Sequence, residues 1–201
     1  MNAAPQLLNT SGYEMVFDEV NHIYTVNGKI WPSVTKQLEE LQISCYDFCD
    51  EEAMFRGSQV HKATEYFDQN RMDESTIPDD WLGYYQAYTQ FRADKPWEII
   101  ALEQKALNPI LQYTGTLDRV FFDGHRYILL DIKTGGLAEW VKYQLAAYAC
   151  FYVNPCAFTR VSLQLKANGK YSLQTYNDTA DIMDWQTMAR FHQIMKEMGR
   201  L

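Results

Sequence analysis

Apolar and polar positions alternate along "YEMVFDEVNHIYTVNGKIWPS" (13–33), as strands with one covered face require, and Asn27-Gly28 offers a hairpin turn. An N-terminal hairpin is therefore predicted. Ser33, after Pro32, is placed to cap a helix running through about Glu40. A second, longer helix is expected from about Tyr46 to Asn70, and a third over "STIPDDWLGYYQAYTQFRADKP", opened by Pro78-Asp79 and closed before Pro96. Strands follow at about 97–107, 112–122 and 126–134. The stretch "LAEWVKYQLAAYACFYV" (137–153) predicts a helix, Asn168-Gly169 a further hairpin, and 179–198 a last helix. No internal repeat, low-complexity tract or linker breaks the chain. It is read as one α+β domain over 1–201, with residues 1–12 flexible.

Composition narrows the class. With 201 residues, 47% of them apolar, the chain can bury a substantial core, and its 14 tyrosines and 5 tryptophans argue against disorder. The opening "MNAAPQLLNTSGYE" carries neither a basic nor an apolar leader region, so no secretory signal is expected. The longest apolar run, "LAAYACFYV" (145–153), is far shorter than the roughly 18–20 residues of a membrane span. A soluble, intracellular protein with no membrane partner is the expectation. Net charge is −8, which argues against a uniformly basic nucleic-acid surface while leaving room for a local basic channel. Cys45, Cys49, Cys150 and Cys156 are expected as free thiols.

Chemistry concentrates in "GTLDRVFFDGHRYILLDIKTG" (115–135), two apolar strands around a turn that nevertheless carry Asp118, Asp131 and Lys133. A carboxylate inside a sheet is costly unless something pairs with it. With a two-residue loop at Asp123-Gly124, Asp118 lies opposite Leu129; with a four-residue loop it lies opposite Asp131. Either even length puts Asp118, Asp131 and Lys133 on one face and sends Ile128, Leu130 and Ile132 into the core. Two neighbouring carboxylates repel unless a proton or cation sits between them, and oxygen ligands of this kind suit Mg²⁺ or Mn²⁺. A surface salt bridge on a half-exposed sheet is the alternative that these three residues leave open.

Three further features bear on that choice. Gly57, His61 and Glu65 recur every four residues in "AMFRGSQVHKATEYF", one stripe of the second helix. Gly57 permits close approach of a neighbouring backbone, and His61 offers an imidazole ligand, although a lone helical histidine also serves as packing. Gln144 and Tyr148 form a polar pair, again four apart, on an otherwise apolar helix. "WPSVTKQLEEL" precedes all of this as an ordered segment.

Taken in order, Gly57-x3-His61-x3-Glu65, Gly115-Thr-Leu-Asp118, Asp131-Ile-Lys133-Thr and Gln144-x3-Tyr148 resemble the motif series of RecB-type nucleases in the PD-(D/E)xK superfamily. "WPSVT" and "DIKTG" resemble the branch that holds mitochondrial genome maintenance exonuclease and many small phage nucleases. The likeness spans roughly residues 20–195. It implies a nuclease core with a central mixed sheet flanked by helices. It also implies a metal-dependent DNA exonuclease acting most readily on single-stranded ends, in bacterial or phage DNA processing and recombination. That activity would take place in the cytoplasm of a bacterium or phage-infected cell, in the company of recombination or replication proteins.

The resemblance also assigns roles. Asp118 and Asp131 would hold Mg²⁺ or Mn²⁺ with the backbone carbonyl of Ile132, and His61 would complete or flank that shell. Lys133 would position and polarise the attacking water, while Gln144 and Tyr148 would steady the site and contact the strand. Glu65 and Glu103 are candidates to support the ligands from behind. Arg56, Lys62 and Lys142 are candidates to steer phosphates, and Trp140 to stack on unpaired bases; each also fits ordinary surface or core. Leu117 stands where the superfamily name has proline, a departure common in the RecB-type branch. Three rival readings remain: a DNA- or partner-binding module on an inactive nuclease fold, an endonuclease of the same fold, and an iron–sulfur nuclease. Against the last, the cysteines fall two and two along the chain, so no cluster is expected.

Overall fold

The computed structural model describes residues 4–44 and 51–201. The chain opens with a three-stranded antiparallel meander, β1 (Met15–Asp18), β2 (Ile23–Val26) and β3 (Lys29–Trp31). Both Asn27 and Gly28 have positive φ, 49° and 75°, as a primed turn between β2 and β3 demands. The expected hairpin thus gains a strand, because Asp18 Oδ1 accepts from the backbone N–H groups of Val20 and Asn21 and turns the chain once more. Ser33 caps α1 (Val34–Glu40) by accepting from Lys36 N at 3.1 Å. The next helix, α2, covers Glu51–Asp68. Its expected start at Tyr46 lies outside the described residues, as do Cys45 and Cys49. Asp79 and Asp80 in the first turn of α3 (Asp79–Asp94) complement the helix dipole.

A five-stranded sheet forms the centre. It contains β4 (Glu98–Asn108), β5 (Tyr113–Phe122), β6 (Tyr127–Lys133), β7 (Phe158–Leu165) and β8 (Tyr171–Tyr176), in spatial order as in sequence. All neighbours are antiparallel except β6 and β7, which run parallel and are joined through α4 (Val141–Ala149). The last helix is α5 (Ala180–Glu197). The architecture is α+β, a mixed sheet flanked by helices behind an N-terminal β-meander. Both β5 and β6 are buried along nearly their whole length, so the polar residues they carry, Asp118, Arg119 and Asp131 among them, are buried too.

The two faces of the sheet carry separate cores. Phe121, Ile128, Leu130 and Ile132 pack with Val60 of α2 and Tyr88 and Phe91 of α3. Val120 and Leu129 belong to the opposite core, with Leu145 of α4 and Trp185 of α5. The helix expected over 137–153 is shorter at both ends. Its N-cap Trp140 makes no side-chain cap bond. Beyond Ala149 the N–H groups of Phe151 and Tyr152 donate to Tyr148 O and Ala149 O, three residues back, before Val153 N donates to Gln6 O at 2.9 Å. Leu8 N donates to Phe151 O at 2.8 Å, so residues 6–8 of the first segment lie paired against 151–153. No described helix is long and apolar enough to cross a membrane.

Candidate metal centre

The hairpin loop settles on four residues. Asp123 Oδ1 accepts from His125 N and Arg126 N, and the ladder then runs from Phe122↔Tyr127 to Arg119↔Leu130. The next step would put Asp118 opposite Asp131, but the ladder ends there and the Asp118 side chain takes over. Its Oδ2 accepts from Ile132 N at 2.7 Å. The carbonyl of Ile132 accepts from His61 Nε2 at 2.9 Å. The backbone N–H and C=O of Ile132, stranded where two strands part, are thus met by one residue from β5 and one from α2. This is why an aspartate sits in an apolar strand.

The tautomer of His61 follows from that contact. A carbonyl only accepts, so Nε2 carries the proton and a neutral ring presents the Nδ1 lone pair. Nδ1 stands 3.6 Å from Asp118 Oδ2. Glu103 completes the group. The β4–β5 register brackets it opposite Asp118, between Leu102↔Arg119 and Gln104↔Leu117, and its positive φ of 44° marks a local distortion there. One ligand atom each from His61, Glu103 and Asp118 lie within 4.8 Å of one another. Two carboxylates and an imidazole form a donor set that a divalent cation such as Mg²⁺ or Mn²⁺ fits. Glu103, expected only in a supporting place, is a member of the set.

Charge crowding at this point is visible in the acids. Burial, with the Asp118 carboxylate alongside, pushes Glu103 up to about 7. Asp131, 2% exposed, is also raised, by burial first and by Asp118 as well, while Lys133 pulls the other way. Burial outweighs the cation that each acid already faces, Arg119 for Glu103 and Lys133 for Asp131.

On the α4 side a second chain of contacts begins. Lys133 Nζ lies 2.9 Å from Asp131 Oδ2 and donates to Gln144 Oε1, also at 2.9 Å. Gln144 Nε2 donates in turn to the Tyr148 hydroxyl at 2.9 Å, which fixes which end of the amide faces the lysine. Burial holds the Tyr148 phenol well above its ordinary range. Gly115 lets this helix close on β5: a Cβ there would lie 3.2 Å from Tyr148 Cε1. At Gly57 the expected close backbone approach is absent among the described residues: a would-be Cβ meets only the Thr134 Oγ1, at an ordinary contact distance of 3.5 Å.

The other expected residues divide. Lys62 and Glu65 line the groove that His61, Glu103 and Tyr148 also line, a cavity of about 900 Å³. Glu65 accepts from Gln69 at 2.9 Å and stands outside the donor set. Arg56 lies over the Tyr84 ring, Trp140 under Lys133, and Lys142 faces Asp181 at 3.9 Å. Cys150 is buried, its thiol pushed up to about 12 by burial, and Cys156 is exposed; both are free.

Arg119 escaped the sequence reading. Fully buried, it donates to Asp68 Oδ2 and Glu103 Oε1, each at 2.7 Å, to the Asp118 carbonyl, and to Thr64 Oγ1. Asp68 also meets Arg92 at 3.2 Å. The signal was present: an arginine between Asp118 and Val120 in an apolar strand, with Thr64 and Asp68 four apart on α2. Lys105 and Arg71, two more cations of the groove wall, carried no motif at all.

No protein-family model matches the chain, and no curated protein matches it. Among solved structures it is similar to the one titled "Crystal structure of SSO0001", at 15% identity over 81% of this chain and 84% of that one, with a TM-score of 0.38. So distant a likeness carries no argument, and the donor set stands on its own geometry: a mixed α/β chain with a His–Glu–Asp cluster able to hold a divalent metal ion.

Proposed function

We propose that the protein is a metal-dependent deoxyribonuclease of the PD-(D/E)xK, RecB-like kind, an exonuclease acting on single-stranded DNA ends in phage or bacterial DNA processing. The observation that carries this reading is the convergence of His61, Glu103 and Asp118 within 4.8 Å, with Asp118 on the same hairpin as the Asp131–Lys133 pair. His61 Nδ1, Glu103 and Asp118 would hold the ion, with Asp131 beside them. When bound, Mg²⁺ or Mn²⁺ supplies Lewis acidity, neutralising phosphate oxygens and making water acidic enough to react near neutral pH.

The chain's own groups divide the remaining work. Lys133, placed by Asp131 and Gln144, orients the attacking water and steadies charge growing on the phosphate. Gln144 and Tyr148 are positioning residues, since they touch the lysine and each other. Lys62, Arg71 and Lys105 on the groove wall meet phosphates. A chain of net charge −8 gains little from duplex phosphate by charge alone, whereas stacking on groove aromatics such as Tyr66 holds an unpaired strand. Incubation of end-labelled linear and closed circular single strands with Mn²⁺ tests the assignment. Linear strands should be degraded and circles left intact. Circles cut as fast as linear strands would make the protein an endonuclease, and DNA left whole in both forms would end the nuclease reading.

A further inference from the structure

We propose that a second cavity, opening off the groove, seats one unpaired nucleobase of the bound strand; this rests on the DNA reading above. The cavity, of about 280 Å³, lies between α2, the 71–78 segment and α3. Val60, Ala63, Ile77 and Trp81 give it apolar walls, and Tyr66 and Tyr85 give it π surface. It is of the size of the smallest ligand sites, roughly 300 Å³. Lys62, Tyr66 and Arg71 line both this cavity and the groove of the metal centre, so the two share a wall.

The shared wall states the chemistry of the occupant. Lys62 Nζ and the Arg71 guanidinium carbon stand 6.0 and 5.6 Å from the Tyr66 ring centroid, two cations on one aromatic side chain. An apolar, aromatic slot edged by two cations fits a flat heteroaromatic ring whose backbone carries phosphates. Nearby acids are already engaged. Asp73 accepts from Ser75 N and Oγ, and Glu74 accepts from the Tyr85 hydroxyl at 2.9 Å. An apolar peptide side chain would use the slot but not the cations. A paired base would have to leave its duplex first, which an unpaired strand does not require.

Binding without turnover tests this. Fluorescent single-stranded oligonucleotides, intact or with one abasic site moved along the strand, are titrated in EDTA against the wild-type chain and Ala63→Phe, which fills the slot. For the wild type, one abasic position should weaken binding about tenfold more than the others, the scale of a lost stacking contact. Ala63→Phe should bind the intact strand about tenfold more weakly and lose that position dependence. It should still hydrolyse bis(p-nitrophenyl) phosphate with Mn²⁺ at the wild-type rate. Position dependence absent in the wild type, or retained in Ala63→Phe, overturns the base slot, and so does failure to bind the strand. Because the wild-type scan needs no variant, it decides even if Ala63→Phe misfolds. Position-dependent binding without Mn²⁺-dependent DNA cleavage would uphold the slot while removing the nuclease reading.

Discussion

Single residues here are set against the preference of their surroundings, and pH exposes the conflict. Glu103 is held up at about 7 by burial and by Asp118, against 4.5 for an unperturbed glutamate. Between those values the folded chain binds more protons than the unfolded chain, so the ion-free protein should lose stability as pH rises through that window. Urea titrations from pH 4.5 to 7.5 should show the decline, and Glu103→Gln should reduce it, with Asp131, also raised by burial, acting in the same direction. Mn²⁺ affinity should rise over the same window, since the proton must leave before the cation binds. A calorimetric titration showing affinity independent of pH would remove Glu103 from the donor set. Arg119 presents the opposite case, a buried cation with its partners in place. Arg119→Leu leaves Asp68, 1% exposed, without its closest ion-pair partner. The cost should be about 3–5 kcal/mol in urea unfolding, the range for breaking a buried pair from one side. A loss under about 1 kcal/mol would mean that Arg92 and the Tyr88 hydroxyl satisfy Asp68 without it.

At the scale of elements, the site depends on where two strands part and how closely a helix approaches them. Much of this was legible. The Asn27-Gly28 and Asn168-Gly169 turns, the Ser33 cap and the Pro78-Asp79 start mark boundaries by local chemistry, and the structure has its turns and helix starts there. The four-residue loop at 123–126 was one of two open options, because the Asp123 side-chain turn that selects it competes with the shorter Asp-Gly turn. The end of α4 was not legible, since the bonds beyond Ala149 reach only three residues back and Val153 then pairs with Gln6, a partner far away in sequence. Nor was the place of Glu103 in the His–Glu–Asp cluster: its positive φ interrupts the regular strand backbone from which facing is read. Gly115 was part of a motif, and its reason is now physical. A Cβ at that position meets Tyr148 at 3.2 Å, and larger side chains crowd Phe151 as well. Gly115→Val should therefore displace Tyr148 and loosen the Gln144–Lys133 contact, slowing DNA hydrolysis at least tenfold while leaving Mn²⁺ affinity within about twofold. Equal losses in both would mean that β5 itself, with Asp118, has moved.

For the whole molecule, the sheet serves as a frame that brings α2, β4, β5 and β6 to one point. The first three contribute His61, Glu103 and Asp118 to the cluster able to hold a divalent ion, and β6 contributes Asp131, paired with Lys133. No local pattern encodes that meeting; the family resemblance pointed to His61 and Asp118, which the fold brings together, while Glu103 was expected only in support. The chain is acidic overall, yet its groove carries Lys62, Arg71 and Lys105 beside Glu19, Glu65 and Glu103, so net charge does not describe that wall. The central claim is that this convergence hydrolyses DNA through a divalent ion. The most direct test is the Mn²⁺-dependent cleavage rate of an end-labelled linear single strand by wild type and Asp118→Asn. Asparagine keeps an acceptor for Ile132 N–H, so the thermal midpoint should stay within about 3 °C, while the lost anionic ligand should reduce the rate at least a hundredfold. Cleavage by Asp118→Asn at the wild-type rate under saturating Mn²⁺, or no cleavage by the wild type at all, would contradict the account.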